Sequence, residues 1–563
     1  SMSFNQNYIN EKSAYNRYEE YINGGRNQGE NAAHFERTNN FREGLSLYRL
    51  EQRTIEAGAN CKWDVKNCAG VPVDYDRNKN SVYVDGSDSH TLLIGATGSK
   101  KSRLIVMPTV RILAADNENM IVCDPKGEIY WRTSKFLKQN GYQIHIINLR
   151  EPQKSDGWNM LSVPYELYHT GRIDKAYEFV NDMTINLVPI IAKDPYWDYS
   201  ARDLLFGLIL LLFKICNTMN ISSELVNMQS VLRLREELFA VTDSNRIQNS
   251  DLWLFIEDDD LIRTRLIGTV ICPEKTMSCI LSTFDQHMSC FSLQPKVVEM
   301  LSYSSFNLNE IGFQKCAVFL IMPDEKTTFH KIIAAFLKQM YELLIDNAFY
   351  KTKEGRFPSR INFILDEFSS LPTISDFPQM IAASRSRNIR FVLVVQSEHQ
   401  LQQRYQEETD TIMSNCSNWI FLASREIQLL REISELGGTT GADRHPLISI
   451  SKLQYMDKEK GECLVFCGRK RPYIAKLPDI EKYDHDAYLV PDIQVKEKYQ
   501  ASHIPYKFFT EQVHQYKQKG EKGSKKNDTS VNLLDENEDA SIMEELEKKF
   551  DELFGEDENP TDV

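Results

Sequence analysis

Lys101 and Ser102 close the octet GATGSKKS, residues 95–102. An ammonium and a hydroxyl side by side after a glycine-bearing turn are groups that can hold phosphate and Mg2+. The turn's backbone N–H groups can form an anion nest, and a helix starting at its end adds partial positive charge. Gly95, Ala96, Thr97, Gly98, Ser99, Lys100, Lys101 and Ser102 are therefore the candidate nucleotide-binding residues. Lys101 would reach the β- and γ-phosphates, and Ser102 would hold Mg2+. The pattern asks for glycine where Lys100 stands. The N–H survives there and the side chain adds a second cation. If the position needs positive φ, its β-carbon costs about 1–2 kcal/mol, which predicts weakened nucleotide binding rather than none.

A second set of residues completes the chemistry. INFILDEF, residues 361–368, is an apolar run ending in two acids. Asp366 at such a strand tip can orient Mg2+, and Glu367 can polarise an attacking water. Arg385 follows after one helix length and has the chemistry of an arginine finger for a neighbouring subunit, with Arg387 and Arg390 as competitors. Gln396 ends the next strand, where its amide can sense a γ-phosphate or orient water.

These residues need a scaffold of strands whose tips converge. Apolar runs at 91–94, 120–123, 142–149, 316–322, 361–365, 390–395, 419–422 and 462–466 predict strands. Helix-length stretches between them indicate parallel βαβ units, with ligands at the carboxyl ends of the strands. The alternation stops over residues 164–305, where helical patterns dominate, so an all-α domain inserted into the α/β domain is expected. Glu257 to Asp260 there is a run of acids without calcium-ligand spacing, and reads as a solvated connection. The expected organisation is a polar N-terminal segment (1–69), a first nucleotide-binding part (70–163), the helical insertion (164–305) and a second nucleotide-binding part (306–498). A basic linker (499–530) and an acidic tail (531–563) follow. Within the first segment, Leu45, Leu47, Leu50 and Ile55 are spaced as on a helix over 42–55. The tail carries an apolar stripe from Ile542 to Phe554, compatible with a partner-docking helix or a disordered solubilising end.

The chain has 563 residues, too many for one core, with 42% hydrophobic and 26% charged residues. Its net charge is −14. The tail from residue 531 accounts for −11 of this, with 13 acids against Lys548 and Lys549, and leaves the body at −3. A simple nucleic-acid coat is excluded, while a local basic channel is not. The eleven cysteines have no zinc spacing and read as reduced thiols. No apolar run reaches membrane-spanning length; the longest, 204–213, is interrupted by Gly207. With Met2 near the start and no leader-like stretch after it, neither a signal peptide nor an anchor is expected.

GATGSKKSR, DPKGE, FLIMPDE, ILDEFSSLP, IAASRSRNIRFVLVVQSEHQL and ECLVFCGRKRP, in this order, resemble the TraG/TraD-type coupling proteins of type IV secretion. The similarity runs from about residue 70 to 483. It implies a RecA-like P-loop nucleotide-binding domain with a mostly parallel sheet interrupted by an all-α domain. By motif, Lys101 and Ser102 match the Walker A pair, with Arg103 adjoining. Asp366 and Glu367 match the Walker B pair, Arg385 the trans arginine finger, and Gln396 the sensor glutamine. The implied activity is Mg2+-dependent ATP hydrolysis, in a homo-hexamer that hands relaxase-bound single-stranded DNA and relaxosome proteins to a conjugation channel. Missing N-terminal membrane helices imply a cytoplasmic chain held at the inner face of the membrane by a separate anchored partner. The hexamer is the active form, and the chain in isolation can be a monomer. A nucleotide-binding receptor with little turnover, because of Lys100, is the alternative; a double-stranded DNA pump is a third, less favoured by the helical insertion.

Overall fold

A computed structural model describes residues 33–58, 67–440, 445–483 and 504–527. Near the start, β1 (Ser46–Arg49), β2 (Thr54–Glu56), β3 (Val71–Asp76) and β4 (Ser81–Asp85) form an antiparallel sheet in the order β2-β1-β4-β3. This corrects the helix expected over 42–55. Ser46 and Tyr48 are buried while Leu47 and Arg49 are half-exposed, a period of two that the leucine spacing concealed. β1 pairs with β4 across the expected boundary at residues 69–70. Phe41, fully buried, stacks on Tyr473 with ring centroids 4.1 Å apart. The described part of the N-terminal segment is therefore packed into the body; the first 32 residues lie outside the described ones.

The central sheet is built from β5 (Thr91–Ile94), β6 (Asn119–Cys123), β7 (Gln143–Asn148), β8 (Cys316–Ile321), β9 (Ile361–Leu365), β10 (Ile389–Val395), β11 (Asn418–Phe421), β12 (Glu462–Cys467) and β13 (Tyr473–Lys476). Their order is β13-β12-β11-β5-β10-β9-β6-β8-β7. The run from β11 to β7 is parallel, and β12 and β13 add an antiparallel edge. The α/β, RecA-like class with a mostly parallel sheet is thus realised.

Successive strand residues serve opposite cores. Leu93, Met120 and Val122 face one that includes the small sheet, α1 (Met107–Ala115) and α2 (Glu128–Gln139). Leu92, Ile121 and Cys123 face the other. Burial on both faces explains why these strands read as continuous apolar runs.

Between β7 and β8 every regular element among the described residues is helical. α3 (Ile173–Leu187) leads to α4 (Tyr196–Met219), whose buried run 204–213 is the centre of this group. Around it stand α5 (Met228–Leu238), α6 (Asp260–Val270) and α7 (Glu274–Met288). Gly207 lets α6 come close: a β-carbon there would sit 2.6 Å from the Leu266 side chain. Asp259 caps α6 by accepting from the N–H groups of Leu261 and Ile262, both at 3.1 Å. The helices share one core with α8 (His330–Lys351), on which α3 packs, and α9 (Phe377–Ser384).

The expected linker differs as well. Residues 508–527 form α10 (Phe508–Asn527). Phe509 and Val513 are fully buried. Glu237 of α5 accepts from Phe509 N–H at 3.3 Å and from Thr510 N–H at 2.7 Å, a carboxylate at a helix N-terminus. The acidic tail lies outside the described residues. Among the described residues no helix is long and apolar enough to cross a membrane.

At the amino edge of the sheet, Glu118 is fully buried between two arginines. Arg390 Nη2 lies 3.3 Å from Glu118 Oε2, Arg360 Nη1 lies 3.5 Å from Oε1, and Asn362 Nδ2 donates to Oε2 at 2.8 Å. Burial, reinforced by Arg360, pushes Arg390 down to about 10. Removing one partner from a buried group of this kind leaves charge uncompensated. Glu118→Ala is expected to cost about 3–5 kcal/mol in denaturant unfolding. Nucleotide affinity of the folded fraction should be unchanged, because this network lies at the far edge from the phosphate loop.

Candidate nucleotide site

The phosphate loop follows β5 at the carboxyl edge, anchored by Gly95 N–H to Val395 O at 3.2 Å and Ala96 N–H to Ala423 O at 2.7 Å. It runs into a wide π turn over Ser102–Val106 before α1, a local widening often found at functional sites. Gly95 is required by close packing, since a β-carbon would meet Ser99 Oγ at 2.6 Å. Lys100 has φ 66, so the condition for strain at that position is met. Its side chain is committed to Glu459, with Nζ and Oε2 2.5 Å apart. Lys101 is buried, and its Nζ donates to Gly95 O at 2.5 Å and Ala96 O at 3.2 Å. Burial pulls its ammonium below the usual value, against the pull of Asp366 and Glu367.

Across the edge, Asp366 ends β9 and lies with its Oδ2 3.5 Å from Ser102 Oγ. Burial, then the neighbouring charge of Glu367, pushes Asp366 up to about 6. Asp124, at the tip of adjacent β6, is pushed up to about 7 by burial and partly by Asp366. Gln396 ends β10, which runs between β5 and β9. Thr97 Oγ1 donates to Gln396 Oε1 at 2.9 Å, and Gln396 Nε2 donates to Glu367 Oε1 at 3.4 Å. The intervening strand therefore ties the phosphate loop to the catalytic candidate.

Two expected residues stand elsewhere. Arg103 turns to Asp479, with Nε–Oδ2 at 2.9 Å and Nη2–Oδ1 at 2.6 Å, and to Glu481 at 2.7 Å. Arg385 precedes β10 at the amino edge, so a seven-residue strand, roughly 20 Å long, separates it from Gln396. The competitors are otherwise occupied. Arg390 is in the buried Glu118 network, and Arg387 Nη1 donates to Ala383 O at 2.9 Å. Beside Arg385, His90 accepts from Phe391 N–H through Nδ1 at 2.9 Å; burial first, then the charges of Arg385 and Arg390, push it down to about 3.

The donor set fits a nucleoside triphosphate. Ser99 Oγ is buried in the loop without a hydrogen-bond partner. Among the described residues no cluster of three or more His, Cys, Asp or Glu side chains could hold a metal. A Mg2+ held by Ser102 and Asp366 would thus take its remaining ligands from phosphate oxygens and water. Asp124-Pro125-Lys126-Gly127-Glu128 belongs to the site as well, although its sequence alone assigns it no role. The usable signal was an acid at a strand tip followed by a helix start, as in ILDEF.

Sheet order, phosphate loop and paired strand-tip acids define a RecA-like P-loop nucleotide-binding fold. A family model described as "Type IV secretory system Conjugative DNA transfer" matches residues 50–459, and the chain belongs to that family. It is 23% identical over 377 residues to a conjugal transfer protein TraG of Escherichia coli, covering 62% of this chain and 55% of that protein. It is 22% identical over 390 residues to the type IV secretion system-coupling protein VirD4 of Bartonella quintana (strain Toulouse), covering 66% and 57%. The chain thus spans little more than half the length of these relatives. Among solved structures, the plasmid coupling protein TrwB with the ATP analogue ADPNP shares the fold at TM-score 0.51 and 15% identity, over 71% of this chain and 88% of that one.

Three outcomes follow from the site. Asp366, raised to about 6, is uncharged below that pH and can bind metal only as the proton leaves. The rise in melting temperature given by Mg2+ with nucleotide should be large at pH 7.5 and shrink as pH falls through 6. Unliganded Asp366→Asn should melt above wild type at pH 7.5, because the ionised form is the one burial penalises, and this gain should fade towards pH 4. Lys100 holds φ 66 without nucleotide, so Lys100→Gly should stabilise the unliganded chain by about 1 kcal/mol in denaturant unfolding. A less stable variant would show that the Lys100–Glu459 pair outweighs the strain.

Proposed function

We propose that this chain is an ATP-hydrolysing coupling protein, which receives relaxase-bound single-stranded DNA and passes it to a type IV secretion channel. The observation that carries the reading is the division of the site between the two edges of the sheet. Lys101, Ser102, Asp366, Glu367 and Gln396 converge at the carboxyl edge, while Arg385 stands at the amino edge. A guanidinium so placed is out of reach of its own phosphate loop and suits the loop of a neighbouring copy. The active form is therefore a ring, taken as a homo-hexamer, with nucleotide between subunits.

In that arrangement Lys101 leaves its carbonyl partners to bind the β- and γ-phosphates. Ser102 and Asp366 would hold Mg2+, which would supply charge neutralisation for the phosphates. Glu367 takes a proton from the water whose oxygen bonds to the γ-phosphorus, as the bond to the β–γ bridging oxygen breaks and ADP leaves. Gln396 holds Glu367 and reports the state of the loop through Thr97. The helical insertion is the surface for relaxosome proteins. A separate membrane-anchored partner keeps the chain at the inner face of the membrane, and the Asn- and Tyr-rich first 40 residues are its docking segment.

One observation favours a second reading: φ 66 at Lys100 fits a receptor that binds nucleotide and turns it over slowly. Steady-state ATP hydrolysis against protein concentration, with and without single-stranded DNA, separates the two. The motor should show turnover that rises steeply with concentration, responds to DNA, and falls at least about 100-fold in Glu367→Gln or Arg385→Ala. Background turnover with measurable ATP binding, unaltered by Glu367→Gln, would favour the receptor.

A further inference from the structure

The loop 124–127 at the tip of β6 carries a cation aimed at the centre of the site. Lys126 Nζ lies 3.5 Å from Glu367 Oε1, the same oxygen that Gln396 approaches from the opposite side. The loop is a rigid base for it. Asp124 is buried, its backbone oxygen accepts from Gly127 N–H at 3.1 Å, and its Oδ2 caps α2 by accepting from Tyr130 N–H at 2.8 Å. Gly127 supplies the left-handed turn, with φ 75.

Glu367 is pinned from its own side too. Its backbone is left-handed, φ 51, its N–H donates to Asp366 Oδ1 at 3.0 Å, and its carbonyl accepts from Ser370 N–H at 2.8 Å and Ser370 Oγ at 2.7 Å. A non-glycine residue held at positive φ is costly, and such strain persists where surrounding contacts over-determine it. Here the contacts fix both the main chain and one carboxylate oxygen.

We propose that Lys126 is a positioning residue for Glu367. With Gln396 it clamps Oε1 so that Oε2 is presented to the attacking water. The proposal rests on the hydrolysis reading above. It makes a continuous chain of side chains, Thr97–Gln396–Glu367–Lys126, from the phosphate loop to the β6 loop. Lys126 touches neither nucleotide nor metal in this scheme; its effect is on the geometry of the carboxylate, and misplacement of a reacting group lowers kcat more than binding.

The test uses the full chain at a concentration that gives wild-type turnover. Lys126→Met should lower kcat at least about tenfold while the KM for ATP stays within about twofold and the melting temperature is unchanged, since the side chain is half-exposed. Lys126→Arg, which keeps the cation, should recover most of the loss. In a Glu367→Gln background, Lys126→Met should change nothing further. Wild-type-like or faster turnover in Lys126→Met would overturn the proposal alone, as would a loss confined to KM or no recovery in Lys126→Arg. A wild-type chain that binds ATP but never turns it over would overturn the hydrolysis reading, and this proposal with it.

Discussion

A parallel sheet covered on both faces can offer chemistry only at its strand ends, and here those ends place carboxylates where water is scarce. Asp124 and Asp366 sit at the tips of the adjacent strands β6 and β9, each pushed up chiefly by burial. The rest of the edge answers this constraint. Lys101 supplies a cation across the gap, Ser102 stands within reach of Asp366, and Lys126 and Gln396 hold the neighbouring Glu367. A divalent cation with its phosphates would complete the same compensation.

The opposite edge solves a similar problem with protein groups alone. Glu118 is shared by Arg360, Arg390 and Asn362, and Arg360 and Arg390 also donate to backbone carbonyls of residues 67–87. The small antiparallel sheet and the central one are fastened by this network. It explains why Arg390, one residue into β10, cannot serve as a finger, whereas Arg385, five residues earlier, is outside the network.

Much of this was legible in the sequence. The central strands stood out because burial on both faces leaves uninterrupted apolar runs, as at 316–321 and 361–365. The phosphate loop and the Asp366–Glu367 tip were legible because their chemistry depends on adjacent residues. Contacts across long separations were not. Local spacing favours helix over Ser46–Arg49 because its strand character depends on pairing with β4. The helix over 508–527 looks like a linker in sequence because two buried residues, Phe509 and Val513, and a carboxylate from α5 hold it. Lys126 carried no local sign of its role, because Glu367 is far away in the chain.

β7 and β8 pair in register from Gln143 with Cys316 to Asn148 with Ile321, although the whole helical insertion lies between them in the chain. Loop-closure entropy grows only with the logarithm of loop length, so the sheet is almost indifferent to what fills that crossover. The insertion is in this sense an exchangeable cassette hung on the edge pair. It shares an apolar core with α8 and also meets the nucleotide half through polar groups: Asn186 of α3 exchanges hydrogen bonds with Ser375 at 2.9 and 3.2 Å, beyond the Glu367 turn. Lys338 of α8 joins Asp182 to Asp376 close by. A lineage could therefore rewrite the outer helices of the insertion extensively, provided α3 keeps its apolar face on α8 and the polar groups that meet this loop.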